Sequence, residues 1–172
     1  MNNLITALAF AADKHRNQRR KDPEASPYIN HPIALADVLC NEANVCDERI
    51  LMAAVLHDTV EDTDTTEAEL IAHFGAEVAA IVMEVSDDRS LPKAERKRLQ
   101  VEHAVHPSAA AKHVKLADKI CNLRDLASSP PADWPLERTQ EYFDWAKRVI
   151  DALRGVNPQL EAIFDAAYAA RP

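Results

Sequence analysis

Residues 50–62 read Ile50-Leu51-Met52-Ala53-Ala54-Val55-Leu56-His57-Asp58-Thr59-Val60-Glu61-Asp62. The first seven are apolar, so a helix built from them is hydrophobic on every side, the pattern of a buried helix. His57, Asp58, Glu61 and Asp62 follow at once. If the helix continues, spacings of three and four set His57 beside Glu61, and Asp58 beside both Glu61 and Asp62. Three carboxylates and an imidazole at the end of a buried helix are costly unless something cationic holds them. A divalent metal ion does so, and several arginines would serve as well. An isolated His-Asp pair reads as a polar helix terminus; four such groups together weigh toward a metal.

Two further segments carry the same chemistry. In Val114-Lys115-Leu116-Ala117-Asp118-Lys119-Ile120-Cys121-Asn122-Leu123, a largely apolar helix carries Asp118 and Asn122 four apart on one face. Taken alone, Asp118 reads as an aspartate paired with Lys115 or Arg124. In Pro27-Tyr28-Ile29-Asn30-His31-Pro32, a proline at a helix start holds His31 stiffly, as suits either a ligand or a packed histidine. Together, His31, His57, Asp58 and Asp118 make a mixed nitrogen and oxygen set suited to Mn²⁺, Fe²⁺ or Zn²⁺. The absence of thiolates argues against a closed structural zinc site. Glu61 and Asp62, surplus to four ligands, are candidates to take a proton from water.

Basic residues gather at Lys14-His15-Arg16-Asn17-Gln18-Arg19-Arg20-Lys21 and again at Lys93-Ala94-Glu95-Arg96-Lys97-Arg98. Most of these read as solvated helix faces. Arg20 and Lys21, in a loop leading to His31, are the candidate phosphate contacts. Arg138 and Tyr142, four apart on a helix, offer a second cation and a ring for a base.

The rest of the chain bounds these readings. It has 172 residues, 47% hydrophobic and 28% charged, which predicts one globular domain over 1–172. A net charge of −8 disfavours nucleic acid and anionic membrane as partners. Two glycines are too few for a phosphate-cradling glycine loop or a hairpin-rich β fold. Three cysteines without C-x-x-C spacing read as free thiols in a reducing compartment, and the cytoplasm is expected. No apolar run is long enough for a membrane span. Helical periodicity with proline and glycine stops predicts helices near 3–19, from Pro32, from Glu48 behind the cap Asp47, from Thr66 to Gly75, and at 76–86, 93–106, 109–127, 136–154 and 158–170. That is an all-α bundle of eight to ten helices with no sheet of consequence.

In order, the motifs R-R-K-D, P-Y-I-N-H-P, L-H-D-T-V-E-D-T, D-D-R-S-L-P-K, R-K-R-L-Q-V-E, V-K-L-A-D-K-I-C-N-L-R-D-L and E-Y-F-D-W-A resemble the RelA/SpoT-type HD hydrolases, closest to the short, hydrolase-only alarmone hydrolase branch. The resemblance covers nearly the whole chain. It implies an HD-domain bundle, a single Mn²⁺ held by His31, His57, Asp58 and Asp118, and Glu61 and Asp62 acting on water. It also implies a nucleotide pocket lined by Arg20, Lys21, Lys93, Asn122, Arg138 and Tyr142, and removal of the 3′ pyrophosphate from ppGpp and pppGpp. Arg89 departs from the lysine of the relatives but keeps the charge. The alternatives are removal of the 2′-phosphate of NADPH and a nucleotide sensor without turnover. The ligand-type set together with Glu61 and Asp62 argues against the sensor. The oligomeric state is not legible.

Overall fold

The computed structural model describes residues 2–172. Ten α-helices and one π-helical turn follow in order among the described residues: α1 (Asn2–Lys14), α2 (Asn30–Asp37) running into the π-turn Val38–Glu42, α3 (Glu48–Leu56), α4 (Thr59–Asp62), α5 (Glu67–Phe74), α6 (Ala76–Val85), α7 (Lys93–Glu102), α8 (Ala109–Ser128), α9 (Leu136–Leu153) and α10 (Pro158–Ala169). The one β feature among the described residues is an isolated antiparallel bridge between Arg19 and Pro27, so the expected all-α bundle is what forms. No helix among the described residues is long and apolar enough to cross a membrane.

The helix starts follow local chemistry. Asp47 accepts the Arg49 N–H at 3.0 Å, Ser108 that of Ala111 at 3.2 Å, and Asn157 that of Leu160 at 3.0 Å. Thr66 accepts the Glu69 N–H at 3.2 Å, but the reciprocal half of the capping box is absent, because the Glu69 carboxylate pairs with Lys14. Between α5 and α6, Gly75 takes φ 84° and ψ 162°, a region essentially reserved for glycine, so one residue stops one helix and starts the next.

α3 and α8 form the centre. Every residue from Ile50 to Leu56 is buried, and α3 packs on α1, α2, α6 and α8. α8 packs on α2, α3, α6, α9 and α10, with Val114, Leu116, Ala117, Ile120 and Leu123 fully buried. Each such side chain contributes about 1.5–3 kcal/mol on leaving water, alanine less.

Two expectations need correction. The first helix stops at Lys14, not near residue 19. His15 interacts with the Gln18 side chain at 2.5 Å, and the Gln18 N–H donates to the His15 carbonyl, so the chain turns out of the helix. The loop that follows is tied by Arg20 N–H to Ser26 O at 2.8 Å and Tyr28 N–H to Gln18 O at 3.1 Å. It therefore delivers Arg20, Tyr28 and His31 to one place. The second correction falls at residues 57–58, where the helix breaks instead of continuing. His57 Nδ1–H donates to the Ala54 carbonyl at 2.8 Å and Thr59 Oγ1 to the Leu56 carbonyl at 2.7 Å. Side chains thus take the acceptors that continuing backbone would use.

Leu116→Ala is expected to destabilise the protein by about 2–5 kcal/mol, and Asp47→Ala by about 1 kcal/mol, in equilibrium urea unfolding. A loss below about 1 kcal/mol for Leu116→Ala would contradict a close-packed α3–α8 core.

Candidate metal and nucleotide site

His31, the second residue of α2, His57, just past the end of α3, and Asp118, in the middle of α8, offer one donor atom each, all within 4.8 Å of one another. His31 Nε2 lies 3.2 Å from Asp118 Oδ1, and His57 Nε2 lies 3.9 Å from it. His57 Nε2 is also 2.8 Å from Asp58 Oδ2, the atom to which the Tyr28 hydroxyl donates. Both histidines are buried, and the side chains of Asp58 and Asp118 are each 18% exposed.

The electrostatics describe a hole for positive charge. Burial works against the charge on Asp118, yet the neighbouring Lys119 ammonium and His31 hold it well below the usual carboxylate range. Lys119 is buried and pairs with Asp118 Oδ2 at 2.7 Å. Burial pushes the His31 imidazole down. For His57 burial opposes the cation, but the Asp58 charge outweighs it and raises the imidazole to about 9. His57 thus draws a proton to a place where carboxylates converge.

The donor set fits a divalent ion. Donation from His57 Nδ1 to Ala54 orients the ring so that Nε2, once deprotonated, presents a lone pair toward Asp58 and Asp118. His31 Nδ1 is a buried nitrogen without a hydrogen-bond partner. Two imidazole nitrogens and the Asp118 carboxylate at this spacing, with Asp58 beside His57, are a borderline transition-metal site.

Glu61 and Asp62 face the same space from α4, but the break at residues 57–58 gives them other neighbours than the spacing predicted. Glu61 accepts the Asp87 N–H at 3.1 Å and an Arg96 N–H at 3.1 Å. Burial raises its carboxyl above the usual range. Asp62 accepts from Gln18 Nε2 at 3.3 Å and from Arg89.

These groups line a deep cavity of about 360 Å³, together with Arg20, Lys21, Asn122 and Tyr142. A larger front cavity of about 830 Å³ shares Arg20, Lys21, Tyr28, His31, Asn122 and Tyr142 with it, so the two are confluent. Asn122 donates to Asp118 Oδ1 at 2.6 Å and accepts from Arg20 at 3.2 Å, while Arg20 also pairs with Asp125 at 2.6 Å. Burial pushes the Tyr142 hydroxyl up to about 12.

Two predicted lining residues stand back. Lys93 is exposed and lines neither cavity, although Arg138 and Lys21 are near enough to add to the effect of burial in lowering its pKa. Arg138 does not share the cavity with Tyr142; its guanidinium lies over the Trp134 ring at 4.3 Å, and Trp134 lines the front cavity. Sequence reasoning passed over Tyr28, Trp134, Arg96 and Lys119. It weighed Lys115 and Arg124 as partners for Asp118, but Arg124 pairs with Glu42 at 2.6 Å and the adjacent Lys119 takes Asp118. Lys119 sits 4.8 Å over the Trp145 ring, which Lys97 covers at 4.6 Å. No periodicity shows such a stack.

The family model described as "HD domain" matches residues 7–144. The guanosine-3′,5′-bis(diphosphate) 3′-pyrophosphohydrolase MESH1 of Homo sapiens is 60% identical over 158 residues, covering 92% of this chain and 88% of that protein. The protein of the same name from Drosophila melanogaster is 52% identical over 168 residues, covering 98% of this chain and 94% of that one. A solved structure described as "A metazoan ortholog of SpoT hydrolyzes ppGpp and plays a role in starvation responses" superposes with a TM-score of 0.96 at 50% identity, covering 99% of this chain and 96% of its own.

Because Lys119 is the buried partner of Asp118, Lys119→Met is expected to cost metal-free protein about 3–5 kcal/mol, and Lys119→Arg much less. Thermal and urea unfolding of chelator-treated samples measures both. Equal losses would mean that packing against Trp145, not charge, sets the role of this residue.

Proposed function

This chain belongs to the HD domain family, in its RelA/SpoT-type hydrolase branch, and on that footing we propose that it is a Mn²⁺-dependent guanosine-3′,5′-bis(diphosphate) 3′-pyrophosphohydrolase. The observation that carries the proposal is the convergence of the His31, His57 and Asp118 donor atoms within 4.8 Å at the base of confluent cavities whose walls carry Arg20 and Lys21. The relatives named above bear this activity in their names.

His31, His57 and Asp118, with Asp58 beside them, would hold the ion. A bound divalent cation acidifies water and polarises a phosphoryl oxygen. Glu61, fixed by the Asp87 N–H and Arg96, accepts the proton of the attacking water, and burial, by raising its carboxyl, makes it a stronger base than an exposed glutamate. Asp62, held by Gln18 and Arg89, orients that water. The water oxygen bonds to the phosphorus on the ribose 3′ oxygen, the P–O3′ bond breaks, and the 3′ oxygen takes a proton. The products are GDP and pyrophosphate from ppGpp, and GTP and pyrophosphate from pppGpp. Arg20, Lys21 and Asn122 bind phosphate and ribose at the junction of the cavities. Tyr142, a neutral hydroxyl at working pH, donates a hydrogen bond, while Lys93 and Arg138 supply charge at the rim. Such contacts remote from the reacting bond orient it for attack.

Purified protein is expected to carry close to one transition metal ion per chain. A chelator should remove activity that Mn²⁺ restores, and Asp118→Ala should abolish both. Glu61→Gln is expected to keep metal and nucleotide affinity while lowering kcat by about 10²–10⁴. Product analysis decides the substrate. ppGpp should yield GDP with intact pyrophosphate, and GTP should remain untouched. Comparable GTP hydrolysis, or a higher kcat/KM for release of the NADPH 2′-phosphate, would overturn the assignment.

A further inference from the structure

One cation of the deep cavity has no task in the mechanism above. Lys115 lies on α8 one turn before Asp118, half-buried, with its side chain on the cavity wall. Of the other basic groups that line it, Arg20 is engaged with Asp125, Arg89 with Asp62 and Lys119 with Asp118, while Lys21 lines the front cavity as well. Lys115 makes no ion pair or hydrogen bond among the described residues. Burial pushes its ammonium down, and Lys119 adds to this against Asp87, Asp118 and Glu61, whose charges favour the cation. A cation kept from bulk water without a direct partner is a cost to folding, and such costs persist where a ligand meets them.

Its position says which part of a ligand that is. The front cavity, large enough for a nucleoside diphosphate, shares Arg20, Lys21 and Tyr28 with the deep cavity but does not reach Lys115. Lys115 belongs instead to the part of the deep cavity that the front one does not share, with Asp87 and Gln100, and all three also border a smaller cavity of about 170 Å³. A nucleotide that enters from the front and sets its 3′ phosphorus at the donor cluster has its terminal 3′ phosphate still to place. Arg20 and Lys21 also line the front cavity and so serve the rest of the nucleotide, whereas Lys115 lines the deep cavity without reaching the front one and has no ion pair or hydrogen bond among the described residues.

We infer that the Lys115 ammonium receives the terminal phosphate of the 3′-pyrophosphoryl group, and so selects a 3′-diphosphate over a 3′-monophosphate. This rests on the hydrolase reading above and makes Lys115 a specificity-determining residue of that site.

The test is calorimetric binding to Mn²⁺-loaded Glu61→Gln protein, in which turnover is suppressed. The probes are guanosine 5′-diphosphate 3′-diphosphate and guanosine 5′-diphosphate 3′-monophosphate. With Lys115 present the diphosphate is expected to bind about 10- to 100-fold tighter, the range of a charge-assisted hydrogen bond. Lys115→Met should reduce that preference to about 2-fold or less by weakening the diphosphate alone, and Lys115→Arg should keep most of it. The melting temperature of Lys115→Met should not fall, since the change removes an unpaired cation. If Lys115→Met lowers the melting temperature, the comparison of Lys115→Arg with Lys115→Gln decides in its place. Equal weakening of both nucleotides, or an unchanged preference, overturns the inference and leaves the hydrolase reading standing. Failure of both nucleotides to bind with Lys115 in place overturns the two together.

Discussion

Asp58 and Asp118 are drawn, with two imidazoles, into a seam between α2, α3 and α8, where a carboxylate is tolerable only with positive charge beside it. Much of the surrounding structure answers that demand. Lys119 lies buried against Asp118, and His57 is pushed toward protonation by Asp58. Trp145, buried between the Lys97 and Lys119 ammoniums, donates its ring N–H to the Lys97 carbonyl at 3.0 Å and so ties α7 to the wall of the site. α8 must run through the centre of the bundle to bring Asp118 there, and α3 must end where it does for His57 to face it.

The break after Leu56 is the device that turns one apolar helix into a site. A continuing helix would bring Glu61 back beside His57 and add a further carboxylate to the ligand cluster. Instead Thr59 and His57 cap the last carbonyls, and the single turn of α4 turns Glu61 toward Asp87 and Arg96 and Asp62 toward Gln18 and Arg89. Each of these carboxylates then lies against a guanidinium, Arg89 reaching Glu61 at 3.9 Å as well as Asp62, so the proton-handling groups take partners other than those of the ion-holding groups.

In a chain of net charge −8, cations around the cavities are unusual, and most are tied down. Arg20 is held by Asn122 and Asp125 and lies over the Tyr28 ring at 5.8 Å. Arg138 rests on Trp134. Guanidiniums fixed in this way lose little freedom on meeting a phosphate, which favours tight and oriented binding. Lys115, with no ion pair or hydrogen bond among the described residues, is the exception in the part of the deep cavity that the front cavity does not share.

The apolar run Ile50–Leu56, the caps Asp47 and Thr66, and the stop at Gly75 were legible because helix formation is a local matter of spacing, capping and breaking. The residue types at the site were legible too: His57-Asp58, His31 before Pro32, and Asp118 in an apolar helix are costly placements whatever the fold around them. What one-dimensional spacing misjudged was direction, as with Glu61 set beside His57, or Arg138 paired with Tyr142 while its guanidinium lies on Trp134. His31 and Asp118 are 87 residues apart and meet only because α2 packs on α8. By itself, then, the sequence determined the helices, their buried faces and the donor atoms on offer. Which charge faces which was decided by tertiary packing, because a charge's energy depends on distance and dielectric in three dimensions and neither is a property of the order of residues along the chain.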